Sequence, residues 1–590
     1  MTKRIDVKTE YKWNIEEIFA SEKEWDELFD EVSSELDFSK YEQKLSDADT
    51  LLECFKELDR VALKLEKLSV YAFMRHDEDT ANSFYNGKMS QIDSLEVTFS
   101  SNTAFIMPEL TALSEEKLTS FIKDERFSDY DYELKNIIKS KPHVLSKETE
   151  SVLALGGQVF QGFHSIFSMI DNADLPFPEL EVDGEKLKVT HGTYSVLLQS
   201  SDRTVREKAF KAYYNAYYGL LNTISATYIG NVNKNVFLTR ARKYNSCLER
   251  ALISEDVDKV VYDNLISATN KALPILHKYV ENKKKTLKLD EMHMYDMYVP
   301  IVENQDLKLD FVDAFKLVKK GLEPLGKEYQ DLLQRAFDER WMDVFETENK
   351  RSGAYSIHVY AIKHPYVLLN YQNTTHDIFT IAHELGHSMH SYFSSKNQPQ
   401  SKADYKIFVA EVASTVNEVL LLKYMLKNTD DVMLKKFLLS YYMDMIKGTL
   451  FRQTMFAEFE YKVHSLAEQN IPLTKDLLNE IYLGLNQEYY GESVISDDEI
   501  KYEWARIPHF YRAFYVYKYA TGIISAISIA ERIYSEGENA VKDYYKFLSS
   551  GGSDSPVELL KLAGVDLTKT CAFESAMNSF KNALEEFEKL

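Results

Sequence analysis

Helix breakers and turn formers are scarce in this sequence of 590 residues. It contains 20 glycines and 12 prolines, well below the roughly 7% and 5% of an average protein. Because glycine and proline are the residues that most disfavour helix interiors, long uninterrupted helices are expected. With 45% hydrophobic and 28% charged residues, the composition predicts a globular, mainly α-helical protein.

Cysteine, net positive charge and long apolar runs are also lacking. The three cysteines, at positions 54, 247 and 571, lie far apart, which suits reduced thiols in the cytoplasm rather than a disulfide framework. A formal charge of −23 argues against a nucleic-acid partner, because phosphate contacts need a basic surface. No stretch approaches the roughly 18 apolar residues of a membrane span, so no membrane association is expected.

The pattern along the chain divides it into three regions. Residues 12–140 carry apolar side chains at three- and four-residue steps, which predicts helices. The Asp183-Gly184 pair between two alternating segments predicts a β-hairpin. We therefore expect an N-terminal helical region at 1–115, a second helical region at 116–195 that ends in the hairpin, and a third region at 196–590.

A second strand signal lies at residues 353–373, GAYSIHVYAIKHPYVLLNYQN. Its alternation and its content of Tyr, Val and Ile predict two short strands, and Pro365 at the start of the second is compatible with an edge strand. An exposed edge at this second strand, PYVLLNYQN, could pair with an extended peptide, and Gly353 and Ala354 would let that backbone come close. The alternative is a small hairpin that only braces the following helix.

The stretch IFTIAHELGHSMHSYF, residues 378–393, predicts an amphipathic helix with Thr375 as its N-cap and Asp377 in its first turn. One side of this helix gathers a core stripe, formed by Ile378, Ala382, Leu385, Met389 and Phe393. Nearly opposite lie three histidines, His383, His387 and His390. The histidines are therefore expected outside the packed stripe.

His383 and His387 are four residues apart, so both imidazoles can bind one metal ion. Glu384 lies beside them, where a carboxylate can act as a general base. This is the HExxH spacing, which predicts a zinc site for hydrolysis. The alternative is a polar helix face with solvated histidines.

A catalytic zinc ion usually has a third protein ligand and an open position for water. Three residues are candidates, namely His390, Glu411 and Glu418. Ligands at 383, 387 and 390 would stretch over about 10 Å, which is long for one ion. If the next helix runs antiparallel after a turn near Pro399, Glu411 comes opposite His387 and is the better placed carboxylate.

Several stretches match a known family more specifically than the metal motif does. They are HELGHSMH (383–390), FVAEVAST (408–415), RKYNSCLERAL (242–252), KRSGAYS (350–356), PYVLLNYQNT (365–374), WARIPHFYRAFYVYKYATG (504–522) and GGSDSPVELLKLAGVDL (551–567). In these stretches, which run across most of the chain, the sequence resembles the oligoendopeptidase F branch of the thimet oligopeptidase and neurolysin family of zinc peptidases.

The resemblance implies a multi-helix bowl around a deep substrate channel. A thermolysin-like HExxH helix would lie at its floor, beside the small β-hairpin or edge strand, and residues 196–590 would form the catalytic domain. The family's third ligand matches Glu411, with one Zn²⁺ per chain. The implied substrates are short unfolded peptides in the cytoplasm.

Tyrosines follow Pro508 in a predicted helix that places Tyr511, Tyr515 and Tyr519 on one face, with His509 at its start. A row of tyrosines suggests a wet cleft, although ordinary aromatic packing is the alternative. The resemblance favours His509 and Tyr515 as catalytic hydrogen-bond donors. Tyr511 and Tyr519 are then candidates for substrate binding.

The function expected from these features is a zinc endopeptidase that cleaves internal bonds of oligopeptides. Glu384 would remove a proton from a water molecule that the ion polarises, and would pass it to the leaving amine. Two alternatives stay open, a zinc exopeptidase and a helical peptide-binding protein with a non-catalytic metal. The sequence leaves the oligomeric state open.

Overall fold

The computed structural model describes residues 2–182, 184–303, 305 and 307–590. Helices hold 71% of the residues and strands 3%, which confirms the prediction of a mainly α-helical protein. Within the described ranges, no helix combines the length and apolar character needed to cross a membrane. The cysteines are free thiols, two of them buried and Cys571 exposed.

The first half of the chain forms long helices whose starts are often capped by Ser, Thr, Asp or Asn side chains. Asp47, for example, accepts a hydrogen bond from the backbone N–H of Thr50 at 3.0 Å, which satisfies one otherwise unpaired donor of the first turn. The helices are α1 (Glu22–Ser34), α2 (Ala48–Glu78), α3 (Ser83–Thr103), α4 (Ile106–Ala112), α5 (Glu115–Ile122), α6 (Asp131–Ser140), α7 (Lys147–Leu155), α8 (Gly157–Met169), α9 (His191–Leu197), α10 (Arg203–Ala241), α11 (Cys247–Glu255) and α12 (Lys259–Thr286).

The second half continues in the same way and carries the predicted site. Its helices are α13 (Phe311–Gly321), α14 (Lys327–Asp338), α15 (Thr375–Asn397), α16 (Gln400–Ala403), α17 (Ile407–Lys427), α18 (Val432–Ile446), α19 (Arg452–Glu468), α20 (Lys475–Tyr490), α21 (Tyr517–Glu536), α22 (Glu538–Leu548), α23 (Pro556–Leu562) and α24 (Cys571–Lys589). The HExxH motif lies on α15.

Strands β1 (Glu179–Val182) and β2 (Glu185–Lys188) form the expected hairpin. They pair antiparallel, with Leu180 opposite Leu187. Asp183, which the sequence analysis placed in its turn, lies outside the described residues. Gly184 follows with φ at +83°, a conformation that glycine adopts without a steric penalty.

Three further short strands form a sheet in the order β3 (Met342–Asp343), β5 (Tyr366–Leu368), β4 (Tyr355–Ile357). The two predicted strands exist and pair antiparallel. The prediction that the second of them is an edge strand was wrong, because β3 pairs with its other side in parallel. Among the described strands, the edge strand that lies against the motif helix is therefore β4.

Residue contacts divide the chain into two compact units, each built from three segments. The first unit comprises Met1–Val144, Asp306–Asn428 and Ile529–Val565, and the second comprises Leu145–Gln305, Thr429–Ser528 and Asp566–Leu590. The predicted regions 1–115, 116–195 and 196–590 are continuous stretches and stay a prediction. Helix α15 belongs to the first unit, and the segment with His509 belongs to the second.

The core of the first unit includes the apolar stripe expected on α15. All five of its residues, Ile378, Ala382, Leu385, Met389 and Phe393, are at most 2% exposed. Helices α13 and α17 pack along α15, and β4 lies against it. These neighbours fix the orientation of the motif helix.

Candidate metal centre and its surroundings

The motif helix begins with a reciprocal capping box. Thr374 Oγ1 accepts the backbone N–H of Asp377 at 3.1 Å, and the Asp377 carboxylate accepts the backbone N–H of Thr374 at 2.9 Å. The N-cap is therefore Thr374, one residue before the expected Thr375. Two otherwise unpaired donors are satisfied at once, which defines where the helix starts.

Helices α15 and α17 run antiparallel in very close contact at Gly386. A Cβ atom at this position would lie 2.5 Å from the Cα of Ser414 and 2.6 Å from the carbonyl oxygen of Ala413. Nearby, Asn417 Nδ2 donates to the carbonyl of Ala382 at 2.9 Å. The glycine in the middle of the motif thus lets the second helix approach until its side chains reach the histidines.

Three donor atoms meet at this crossing. His383 Nε2 and His387 Nε2 are 3.2 Å apart, and Glu411 Oε2 is 3.3 Å from the first and 3.4 Å from the second. Their mutual proximity marks a group that could hold a metal ion. The structure brings together the three residues that the sequence analysis favoured as ligands.

The spacing of these atoms fits zinc. Ligand atoms about 2.0 Å from a tetrahedral ion lie about 3.3 Å from each other, which matches the separations between the two imidazoles and Glu411. Two imidazoles and one carboxylate are also a donor set that zinc accepts. The Glu411 side chain is 47% exposed, so the group is open on one side.

The charges around His383 favour a cation. Its Nδ1 lies 2.6 Å from Glu418 Oε1, on the ring side opposite Glu411. Burial alone would lower the pKa of His383, but Glu411 and Glu418 outweigh it and raise that pKa to about 10. A partner for the far nitrogen also fixes the orientation of the ring.

Glu384 points to the neighbouring strand rather than into the ligand triangle. The residue is 7% exposed, and its carboxyl accepts the backbone N–H of Ser356 in β4. Burial raises the pKa of Glu384, while His383 and His387 act against that shift. A carboxyl next to the donor triangle whose pKa lies above the usual range is suited to take up and release a proton.

His390, the alternative third ligand, lies apart from the donor group. Its ring stacks on Tyr405 with 3.7 Å between ring centroids and contacts Phe547 at 5.0 Å. It is 1% exposed, and burial lowers its pKa to about 3. The expected segregation of all three histidines from the packed side therefore holds for His383 and His387 and fails for His390.

Gly353 and Ala354 precede β4, as a substrate-binding role next to an edge would need. Gly353 is exposed and has φ at +86°, and a Cβ there would meet no atom within 4 Å. Its carbonyl accepts a hydrogen bond from Asn370 Nδ2 at 2.8 Å. The approach to the edge strand is therefore open at this glycine.

His509, Tyr515 and Tyr519 form a cluster in the second unit. Tyr519 Oη lies 3.3 Å from His509 Nε2, and the rings of the two tyrosines meet edge to face at 5.4 Å. His509 is exposed and the tyrosines are half-buried. Burial, together with the positive charges of Arg452 and Arg512, lowers the pKa of His509.

Tyr511 is separated from this cluster, contrary to the expectation of one helical face. Its ring stacks on Phe167 at 4.4 Å, and it is 8% exposed. The predicted continuous helix is interrupted, because Pro508–Tyr511 is a 3₁₀ turn and Phe514 has φ at +55° before α21 begins at Tyr517. The break turns Tyr511 inward while His509 stays at the surface.

The interruption of the helix before α21 is stabilised by buried contacts that could not be predicted from the sequence. Phe514 is 3% exposed, and its backbone N–H donates to Glu460 Oε1 at 3.0 Å. The ring of His464 packs on that of Phe514 at 4.9 Å. Local propensity favours helix here, so these non-local partners decide the outcome.

The roles of two residues at the site, Glu418 and Ser356, were not predicted from the sequence. Glu418 was considered as a ligand, whereas it contacts the far nitrogen of His383; its position seven residues after Glu411 on the same helix face was the available signal. Ser356, which donates to Glu384, had no signal of its own. Only the position of β4 beside α15 brings it there.

A buried carboxyl beside two histidines and a third ligand, on a mainly helical scaffold, defines a candidate hydrolytic metal centre. The model for peptidase family M3 matches residues 196–579, and the model for oligopeptidase F matches residues 109–177. The first match spans all the stretches that carried the resemblance noted from the sequence, at 242–567, and the second lies N-terminal to them.

Known proteins are similar over the whole chain. Oligopeptidase PepF of Bacillus subtilis is 42% identical over 100% of this chain and 88% of its own length, and group B oligopeptidase PepB of Streptococcus agalactiae is 38% identical over 100% and 98%. A solved Chlamydophila abortus structure has a TM-score of 0.95 at 36% identity, covering 100% of this chain and 99% of its own. The structure of oligoendopeptidase F from Enterococcus faecium has a TM-score of 0.74 at 35% identity. It covers 96% of this chain and 98% of its own.

The chain belongs to peptidase family M3, in the oligoendopeptidase F branch, and is a peptidase of that family.

Proposed function

We propose that this protein is a zinc-dependent endopeptidase that cleaves internal bonds of short, unfolded peptides. The observation that carries the proposal is the triangle of His383, His387 and Glu411 donor atoms, 3.2 to 3.4 Å apart, with the Glu384 carboxyl beside it. The relatives are named oligopeptidases and oligoendopeptidases, which supports oligopeptides as the substrates. The proposed location is the cytoplasm, in keeping with the free thiols.

His383, His387 and Glu411 would hold one Zn²⁺, which when bound supplies a Lewis acid for water and for the scissile carbonyl. Glu418 would keep His383 in the tautomer that presents Nε2 to the site. Glu384 would remove the proton from the attacking water and then deliver it to the leaving amine. A raised pKa suits both halves of that task, because the carboxyl must gain and lose a proton at neutral pH.

His509 and Tyr515 would act as hydrogen-bond donors to a bound peptide. Exposure of His509 and partial exposure of Tyr515 leave both side chains accessible to a ligand. Tyr519, which contacts His509, would help to hold its ring. The packing of Tyr511 on Phe167 does not support the substrate-binding role expected for Tyr511.

Substrate backbone would pair with the edge of β4, after entering past Gly353 and Ala354. Main-chain pairing of this kind is independent of side-chain identity, which suits cleavage of varied peptides. Ser356 links this edge to Glu384, so a peptide bound there would lie next to the general base. Proline at the edge-pairing position of a peptide is expected to prevent its cleavage.

The direct test uses a fluorescence-quenched peptide blocked at both ends. Zinc-loaded protein should cleave it, a chelator should stop cleavage, and added zinc should restore it. Glu384→Gln should keep the metal, measured by elemental analysis, and lose turnover by about 10³-fold. Cleavage that requires a free terminus would reject the endopeptidase assignment, and unchanged turnover in Glu384→Gln would reject the role of Glu384.

A further inference from the structure

A groove with a cavity volume of about 420 Å³ lies in the first unit between α2, α3 and the end of β4. Its walls are mostly apolar and include Leu65, Phe73, Phe99 and Ile357. Two carboxylates, Glu66 of α2 and Glu96 of α3, also line it. We call this cavity the α2–α3 groove.

Strand β4 connects the α2–α3 groove with the candidate metal centre. Successive side chains of a strand point to opposite faces. Ser356 faces α15, where its hydroxyl lies 2.8 Å from that of Ser388, whereas Ile357 lines the groove. Tyr355, on the same face as Ile357, has its ring 5.7 Å from that of Phe73.

A peptide paired with the edge of β4 would obey the same alternation. Every second side chain of the peptide would point to the face of β4 that carries Tyr355 and Ile357, and so toward the α2–α3 groove. One side chain of such a peptide would therefore point into the groove. This step rests on the proposed function, in which β4 binds the peptide.

The acidity of the groove is not neutralised by its own cations. Within the described residues, neither Glu66 nor Glu96 forms an ion pair with lysine or arginine, and Glu66 Oε2 has no hydrogen-bond partner. Burial and the nearby Asp404 raise the pKa of Glu66 to about 7, although hydrogen bonds from the backbone of Tyr360 and Ala361 act against that shift. The guanidinium of Arg351 lies 5.3 Å over the Phe73 ring, but it is paired with Asp77 at 3.3 Å.

Apolar walls and carboxylates without a cationic partner together suit a long basic side chain. The hydrocarbon stem of lysine or arginine packs on apolar surface while its charged end pairs with an anion, and the ring of Phe99 can add a cation–π contribution. A peptide N-terminal amine has the charge without the stem. An aliphatic side chain such as leucine would contact the apolar walls but would leave the carboxylates without a cation.

We propose that the α2–α3 groove is a specificity subsite that accepts a lysine or arginine side chain of the peptide bound along β4. The site therefore selects peptides with a basic residue at one fixed distance from the cleaved bond. Glu66 and Glu96 are the residues that set this preference.

The test compares doubly blocked peptides that carry lysine or norleucine at each position in turn on both sides of the cleaved bond. Norleucine has a stem of similar length without the ammonium group. At one position, kcat/KM should be about tenfold higher for lysine, the ratio expected for one charged hydrogen bond. Glu66→Gln or Glu96→Gln should bring this ratio toward one by lowering kcat/KM of the lysine peptide.

A matched control distinguishes an effect of the groove carboxylates from an effect of the protein's overall negative charge. Asp93→Asn removes an equal charge from an exposed position of α3, outside the groove lining, and should leave the ratio intact. Equal kcat/KM for lysine and norleucine at every position would overturn the proposal. So would a ratio that survives the double variant Glu66→Gln/Glu96→Gln, or a preference that follows a free N-terminus instead of lysine.

Binding to the Glu384→Gln protein, measured by calorimetry, gives a readout that does not depend on turnover. The lysine peptide should bind about tenfold more tightly than the norleucine peptide, and Glu66→Gln added to this background should abolish the difference. If no peptide is cleaved by the unmodified protein, the proposed endopeptidase function fails. The subsite is then still decided by whether this difference in binding is present or absent.

Discussion

His383 and His390 lie on one helix, two turns apart, in opposite surroundings. His383 sits between Glu411 and Glu418, which raise its pKa to about 10. His390 is stacked on Tyr405 and Phe547, and in the described part of the chain neither ring nitrogen has a hydrogen-bond partner. Burial lowers the pKa of His390 to about 3.

The difference comes from the elements packed on each side of α15. Helix α17 supplies the two carboxylates at His383, whereas α22 and the segment before α17 supply aromatic rings at His390. A histidine surrounded by anions is prepared for a cation, and one surrounded by rings behaves as a neutral core residue. Position within a motif therefore does not by itself make a ligand.

The largest effect is expected for His387→Ala. It removes one of three donor atoms, so zinc affinity and turnover should fall by more than the roughly 100-fold that loss of an outer partner costs. The metal content of the purified protein and kcat/KM on the blocked peptide measure this. His376→Ala, an exposed histidine on the same helix, is the control, and an equal loss there would contradict the assignment.

Glu418→Gln should have the next largest effect. The amide keeps the size of the side chain but loses the charge that supports His383, so zinc affinity should fall by about 10- to 100-fold. Competition with a chelator of known affinity measures the change. If affinity is unaltered, the contact between Glu418 and His383 is structural only.

Gly386→Ala tests whether the close approach of α17 makes the site. A Cβ atom 2.5 Å from the Cα of Ser414 must push the two helices apart, at a cost of about 1–3 kcal/mol in the free energy of unfolding. Zinc affinity should fall about tenfold, because Glu411 moves away from both imidazoles. The matched control is Gly484→Ala in α20, where a Cβ meets no atom within 4 Å.

In Gly484→Ala, stability should be unchanged or raised by up to about 1 kcal/mol, since alanine favours helix. Zinc affinity should not change in this variant. A Gly386→Ala protein with normal zinc affinity would show that zinc binding tolerates a larger distance between α15 and α17.

Local patterns were enough to predict much of the donor group. The spacing of the apolar residues gave α15 its orientation, and the turn near Pro399 predicted an antiparallel α17. Those two features brought Glu411 opposite His387 without any knowledge of other elements. The observed separations between the three donor atoms agree with that prediction.

Non-local partners decided the features that sequence could not predict. The two-residue strand β3 has no sequence signal, yet its pairing makes β5 central and leaves β4 as the edge. Glu460 accepts the backbone N–H of Phe514 at the chain break that turns Tyr511 inward. In each case the deciding contact joins residues far apart in the chain, which periodicity does not report.

The smallest effect is expected for His390→Phe, and it should depend on pH. Unfolded histidine takes up a proton as pH falls below about 6.5, whereas folded His390 stays neutral down to a pKa of about 3. The unfolded state then binds more protons, so His390 costs stability by up to about 1.4 kcal/mol for each pH unit below 6.5. The phenylalanine variant escapes this cost and keeps the stacking on Tyr405.

Urea unfolding of the metal-free proteins measures the prediction. The variant should be about as stable as the unmodified protein at pH 8, or slightly more stable because two unpaired ring nitrogens are gone. Between pH 6.5 and pH 5, its advantage should grow by about 2 kcal/mol. If the free energies of unfolding of the two proteins change with pH in parallel, His390 takes up a proton in the folded state as readily as in the unfolded state. Loss of zinc binding in the loaded variant would make His390 part of the site after all, and would remove the contrast with His383.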